Sequence, residues 1–360
     1  MLDQNSIEAM RASGRDIGIV TAGADGLGKL STLPGKWAKR GVNEPLPGRG
    51  WNLIALPFAN GPFGYRLLMN QYNEVLNIFA ADRGVPNRGI LQANNSNNPA
   101  AGDQTLVALD YQQQIVQIAT EDFPESTLLT PPDKPIHHEP GLFLHALDKA
   151  TDGLDVSRLG VIPHGNSILA MGKVQENEQP VGNFRDVEDS FDGRPIGIGA
   201  TNEVTDPKTV IDPGKPRYLD PYTHFQQNPF RKVFRPTGTL DLLQEAFTGF
   251  DIRKTTVFDF NSAHTSETGP VHGGVLNIPF IVDQANATEV RSIFWIHELN
   301  PTGENDDPVM IMQYAQVVML EFFERTDGVD GLIRWPHVSI NTMERVSKKP
   351  DPLEEMMGYG

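Results

Sequence analysis

The sequence predicts an all-β protein of two antiparallel lipocalin-like β-barrels joined by a long Pro/Gly/Asp-rich connection, and three observations carry that prediction. Thirty-four glycines and 28 prolines are spread over all 360 residues and cut the apolar material into short pieces, the punctuation of strands and turns. The pieces are rich in β-branched and aromatic residues in partial two-residue alternation. Two of them also repeat. WNLIALP followed by LLMNQYNEVLNIF resembles FWIHELN followed by MIMQYAQVVMLEF, which sets Trp51, Gln71-Tyr72 and Glu74-Val75 beside Trp295, Gln313-Tyr314 and Gln316-Val317.

The elements follow in order. An N-terminal segment, residues 1–28, carries helical signal. The first barrel, 29–175, draws its strands from WNLIALP at Trp51, YRLLMNQYNEVLNIF at Tyr65, QTLVALDYQQQIVQIA at Gln104 and GLFLHAL at Gly141. Residues 176–235, crowded with Asp, Gly, Pro and Asn, read as a linker or excursion between barrels, since loops this long are functional or disordered. The second barrel, 236–345, opens on a short helical run, TLDLLQEAF, near Leu240. Its strands are RKTTVFDF at Arg253, VLNIPFIV at Val275, VRSIFWIHEL at Val290, VMIMQYAQVVMLEFF at Val309 and LIRWPHVSI at Leu332, and 346–360 form a tail. A fainter match sets GVIPHGNSILA beside LNIPFIVDQA. It places His164 against Phe280, so the two units are unequal and polar chemistry stays in one.

Composition excludes several functions. A formal charge of −16 and no basic stripe argue against nucleic-acid and anionic-membrane partners. The absence of cysteine removes disulfides, thiolate zinc sites, iron–sulfur clusters and cysteine nucleophiles, and leaves any metal to His, carboxylate, Tyr or Met. No apolar run reaches the roughly 20 residues that span a bilayer, and the polar start lacks the apolar core of a secretory signal. The expected setting is cytoplasmic. G-x-S-x-G, P-loop and Rossmann signatures are missing, and GADGLG at Gly23 has the dinucleotide glycines in reverse order.

The chemistry-bearing residues are histidines. IHHEPGLFLH holds His137, His138 and His145, and VIPHGNSILA holds His164, four of the nine in the chain. Pro163 and Gly165 fix the backbone around His164 and leave room for a bulky ligand. The plainer role for that residue is capping a turn with Asn166 and Ser167. On a strand His137 and His138 face opposite sides, and Glu139 is placed to accept an imidazole N–H or to act as an acid–base group. Tyr72-x-Glu74 and Tyr314-x-Gln316 put polar pairs on one strand face, to line a cavity or fix register. His264, Glu267 and His272 match no standard zinc spacing.

LPGKW at Leu33, with GRGWNLIA after it, resembles the G-x-W opening of lipocalin-like and nitrobindin-like barrels. HHEPGLFLHA, IPHGNSILAMG, GGVLNIPFIV, FWIHELNPTG, MQYAQVVMLEF and WPHVSI then occur in an order similar to a large family of bacterial and fungal proteins labelled haem-binding, some of them peroxidase-like. The resemblance spans about residues 33–343. It implies haem b as cofactor, His164 as the iron ligand, and His137 with Glu139 as the catalytic or distal pair. Arg66 or Arg334 would meet the propionates, and Tyr72, His145 and His337 complete the cofactor-binding set, with His297 a rival ligand. Two departures stand out: Phe143 where the family has Trp after E-P-G, and His297-Glu298 where it has a single acid after F-W-I. A one-residue shift on a strand moves a side chain from lumen to outside. Two other functions are carried alongside. One is a cofactor-free isomerase or pericyclase using Tyr72, Tyr111, Tyr314 and the histidines as donors or bases, and the other is a carrier of a small apolar molecule.

Overall fold

The structure, a computed structural model, describes residues 4–39, 48–87, 104–147, 154–162, 164–177, 184–199, 218–265, 271–301 and 307–349. Helix α1 (Gln4–Ala12) leads into strands β1 (Ile17–Ile19), β2 (Gly35–Ala38), β3 (Gly50–Pro57), β4 (Tyr65–Asn87), β5 (Gln104–Phe123), β6 (Pro135–Ala146), β7 (Val156–Ile162) and β8 (Asn166–Asn177). Helices α2 (Asp220–Gln227) and α3 (Asp241–Thr248) follow, then β9 (Ile252–Asn261), β10 (His264–Thr265), β11 (Val271–Asn277), α4 (Pro279–Ala285), β12 (Asn286–Leu299), β13 (Met310–Glu324) and β14 (Leu332–Ser347). Every strand predicted from alternation is present. VLNIPFIV is divided: it ends as strand at Asn277, and Pro279 starts α4, because proline fixes φ for a first helical turn and has no N–H to give a sheet.

The two halves do not form two barrels. Among the described residues, β4, β5, β6, β7, β8, β9, β12, β13 and β14 run in antiparallel succession, and β2 with β3 bridge β14 back to β4, closing one ring of ten strand positions. One seam is β8 on β9, the other β14 on β2 and β3. A half-sheet with two free edges exposes unpaired backbone groups, and pairing the edges of two halves removes all four at once. The internal repeat is real at the level of register: Trp51 lies opposite Gln71 on the neighbouring strand, and Trp295 lies opposite Gln313. Each half contributes the same strand pair to a shared wall.

Side chains that touch across the ring define its inside. Tyr72 on β4 meets Tyr314 on β13, and Arg158 on β7 reaches Ser292 on β12 and Gln316 on β13, although these strands are three or four places apart in the ring. Leu76, Phe143, Phe260, Phe294 and Met312 share that inner face and fill one half of the lumen. The chain closes this end with Leu27, Leu30 and Leu33 packed inward, and the fully buried Trp37 donates its indole N–H to the Leu33 carbonyl at 2.8 Å.

The outer face is covered by the stretch read as a linker. Phe184, Phe191, Tyr222, Phe225, Phe230 and Phe234 are buried against Trp51, Tyr65 and Trp295, with Phe184 edge-on to Trp295 at 4.8 Å. Its Asp, Gly and Pro content disguises widely spaced aromatic anchors, each carrying a large buried area. No helix of the described residues is long and apolar enough to cross a membrane.

Candidate functional site

The middle of the lumen is polar, and its side chains come from both halves. Glu139 on β6 is buried to completion and is met by the Arg158 guanidinium at 2.9 Å. The Tyr111 phenol donates to the same carboxylate oxygen, and Arg158 Nε donates to the Tyr111 hydroxyl at 3.1 Å. Arg158 spends its remaining reach on Gln316 Oε1 at 2.5 Å and Ser292 Oγ at 3.3 Å. Burial alone would raise the Glu139 pKa, but Arg158 and the donors around it lower it to about 2, so this carboxylate is ionised throughout the physiological range. Glycine makes the cluster possible. A Cβ on Gly160 would collide with Glu139 Oε1 and the Tyr111 hydroxyl, and one on Gly141 with the Tyr111 ring and the Leu159 carbonyl. Gly160→Ala is therefore expected to part Glu139 from Tyr111 and cost about 1–3 kcal/mol in a urea melt, the usual range for overpacking. An unchanged melt with unchanged tyrosine fluorescence would contradict this placement.

A second carboxyl, Glu74, has the opposite environment. It accepts from Tyr314 at 2.6 Å, Gln113 at 2.7 Å and Asn341 at 2.8 Å, and no cation contacts it among the described residues. Burial raises its pKa, opposed by those three hydrogen bonds. Tyr72 and Tyr314, matched in the sequence repeat, meet hydroxyl to hydroxyl at 3.0 Å beside it.

Three histidines gather at the end of the lumen opposite the Trp37 floor. His137 is near the start of β6, His164 lies in the turn joining β7 to β8, and their rings are 5.7 Å apart. Gly165, at φ 104°, makes that turn. His337 on β14 shares the inner face with Asn341 and is close enough for both other imidazoles to disfavour its protonation. Burial is the larger cause and brings His337 down to about 3; burial also lowers His164. His137 Nε2 lies 3.4 Å from Glu139 Oε2, which ties the histidine group to the ionised cluster behind it. His337 comes from the other half of the chain, and only the closure of both halves into one ring brings it here.

The other expected residues fall elsewhere. His145 is on the inner face but eight residues along β6 from His137, roughly 26 Å at strand rise, packed against Gly28 at the floor. Arg66 is committed to Asp122 at 2.5 Å and Ser126 at 3.0 Å. Arg334 points outward and pairs with Glu289 at 2.7 Å and Glu321 at 3.6 Å. Neither arginine meets the histidine group. Tyr72 lines the inner face as expected, as a member of the Glu74 network rather than a free donor. His297 is outside the barrel, between Thr255 at 3.0 Å and Gln313 at 3.1 Å, and edge-on to Phe247, so it is no rival ligand. Glu298 is ion-paired with Arg253. His138 is exposed on the outer side, and Glu267 and the side chain of His272 lie outside the described residues. Arg158 was missed in the sequence. Its signal was available in parity: in VSRLGVI it stands two residues before Gly160, on a strand whose other face is apolar.

Neither a family model nor a curated protein matches the chain. A solved structure, the crystal structure of Rv2717c from M. tuberculosis, aligns over 89% of this chain and 98% of its own, with 13% identity and a TM-score of 0.34. A score that low does not establish a common fold.

Proposed function

We propose that the protein binds one flat, largely apolar ligand at the histidine end of its lumen, and that haem b is the occupant this donor set suits best. The carrying observation is the convergence of His137, His164 and His337 from both halves, with burial holding His337 neutral and His164 exposed on its turn. Neutral imidazole is what a haem iron takes from a protein. The porphyrin brings four nitrogens of its own, so a site of this kind does not need the cluster of three or more His, Asp or Glu that the described residues lack. His164, on its glycine turn, would hold the iron in this reading, with His137 beside it. Bound haem supplies redox chemistry, peroxidase-like turnover included. The chain's own part is to hold His137 against Glu139. The test is a haemin titration of the purified protein. A Soret band that forms in the wild type and shifts or weakens in His164→Ala is expected. No spectral change, or the same spectrum from both proteins, refutes the reading.

The His137–Glu139–Arg158 chain supports a second reading, a cofactor-free acid–base enzyme. An imidazole oriented by a carboxylate that a guanidinium keeps ionised is a working general base. Turnover by haem-free protein that disappears in His137→Gln would favour it. A haem-loaded protein inert toward peroxide and donors would leave a carrier.

A further inference from the structure

The outer wall carries a groove that also touches Tyr111 and Gly141 of the lumen cluster. Strand β4 bulges between Ile78 and Ala80, which throws Phe79 outward beside a groove of about 370 Å³ lined by Phe79, Asp110, Gln112, Pro140, Leu142 and Val161. That volume lies within the range that holds small ligands. The register explains its walls. Asp110, Leu142, Leu159 and Leu169 form one cross-strand row on the outer face. Gln112, Pro140 and Val161 belong to the next. An apolar ladder therefore leads away from a single polar head.

That head is one-sided in charge. Asp110 is the one charged side chain among the lining residues, and burial raises its pKa against the pull of Arg15, whose own ion pair is with Asp82. Beside it, Gln112 is 5% exposed, and its Oε1 has no hydrogen-bond partner among the described residues. A buried acceptor left unpaired costs free energy that a donor entering the groove would recover when the amide turns to meet it. At the far end Val161, a large aliphatic side chain, is 57% exposed. An anionic group and an unpaired acceptor at one end, with aliphatic walls at the other, are complementary to a cation that donates hydrogen bonds and has an apolar body.

We propose that this groove binds a small primary amine, its ammonium on Asp110 and Gln112 and its apolar body along Leu142 and Val161. A hydroxyl in place of the ammonium would keep the hydrogen bond and lose the charge, and a carboxylate would be repelled.

Benzylamine is a suitable probe, titrated into the full chain by calorimetry beside benzyl alcohol and benzoate at equal ionic strength. Saturable binding of benzylamine is expected, with the alcohol weaker by about ten-fold or more and benzoate not binding, since a charge-assisted hydrogen bond is about twice as strong as a neutral one. Asp110→Asn keeps the shape and should weaken the amine by about ten-fold without changing benzyl alcohol. Val161→Arg, at an exposed position where folding is not at stake, should weaken it by placing a cation at the rim. No saturable amine binding, an alcohol as tight as the amine, or an affinity unchanged in Asp110→Asn with a wild-type melting curve would each overturn the proposal.

Discussion

Arg158→Ala is expected to lower the unfolding free energy by about 3–5 kcal/mol, read from the urea midpoint at an unchanged m-value. Arg158 is 2% exposed and Glu139 fully buried, and their contact is the centre of a network that includes Tyr111, Ser292 and Gln316. Truncating the guanidinium leaves a carboxylate without its counter-charge in a low-dielectric interior and unpairs three further groups. The loss is therefore the cost of an orphaned charge, not the net worth of the pair. The double variant Arg158→Met with Glu139→Gln separates the two. It removes both charges at similar volume and should recover most of the loss. A double variant as unstable as Arg158→Ala alone would mean that the strut joining β7 to β12 and β13, and with it the two halves of the ring, depends on the guanidinium geometry rather than on charge balance.

How much of this was legible in the sequence depends on the range of the interaction. Alternation is local, so β3 to β6, β9 and β11 to β14 could be read while the shorter or more polar β2, β7 and β8 were not, and the Trp51–Gln71 and Trp295–Gln313 repeat could be read because both halves build the same cross-strand pair. Closure is not local. Whether two half-sheets each curl on themselves or pair edge to edge is decided by the β8–β9 and β14–β2/β3 seams, between segments far apart in sequence, and no single-strand pattern encodes it. The site divides in the same way. His137, Glu139 and His164 lie within 28 residues and were read together, whereas the His337 and Arg158 contributions need the closed ring. Parity was the rule that went unused: counting by twos from Tyr314 through its partner Asn341 puts His337 inside, and counting from Trp295 puts His297 outside with the aromatic cover. Residue type alone does not place the arginines: Asp122 holds Arg66, and Glu289 and Glu321 hold Arg334, all through contacts that no local pattern shows.

The same buried groups set how the protein responds to acid, and the expected result is a stability that falls continuously below neutrality. His337 has its pKa brought down to about 3 in the folded chain against an ordinary 6.5, and His297 to about 4. Between those values the unfolded chain binds protons that the folded one refuses, so stability is whole above pH 6.5 and is lost as pH falls toward 3. Glu139 is the usual carboxylate case: depressed to about 2 from 4.5, it contributes fully above pH 4.5, and that contribution disappears as pH falls through 2. A shift of this size in a fully buried group corresponds to about 3 kcal/mol at roughly 1.4 kcal/mol per unit. Glu74 works the other way, because its raised pKa favours the folded state at low pH and the benefit fades as pH rises above the ordinary carboxylate range. The histidines act first on the way down and the Glu139–Arg158 pair last. His337→Phe removes one proton site without adding charge, so its urea midpoint should fall less steeply than the wild type's between pH 6.5 and 3 and run parallel to it below pH 3. Curves parallel over the whole range would mean that His337 is as accessible to protons when folded as when unfolded, and that the histidine end of the lumen is open water rather than a place that holds imidazoles neutral for a ligand.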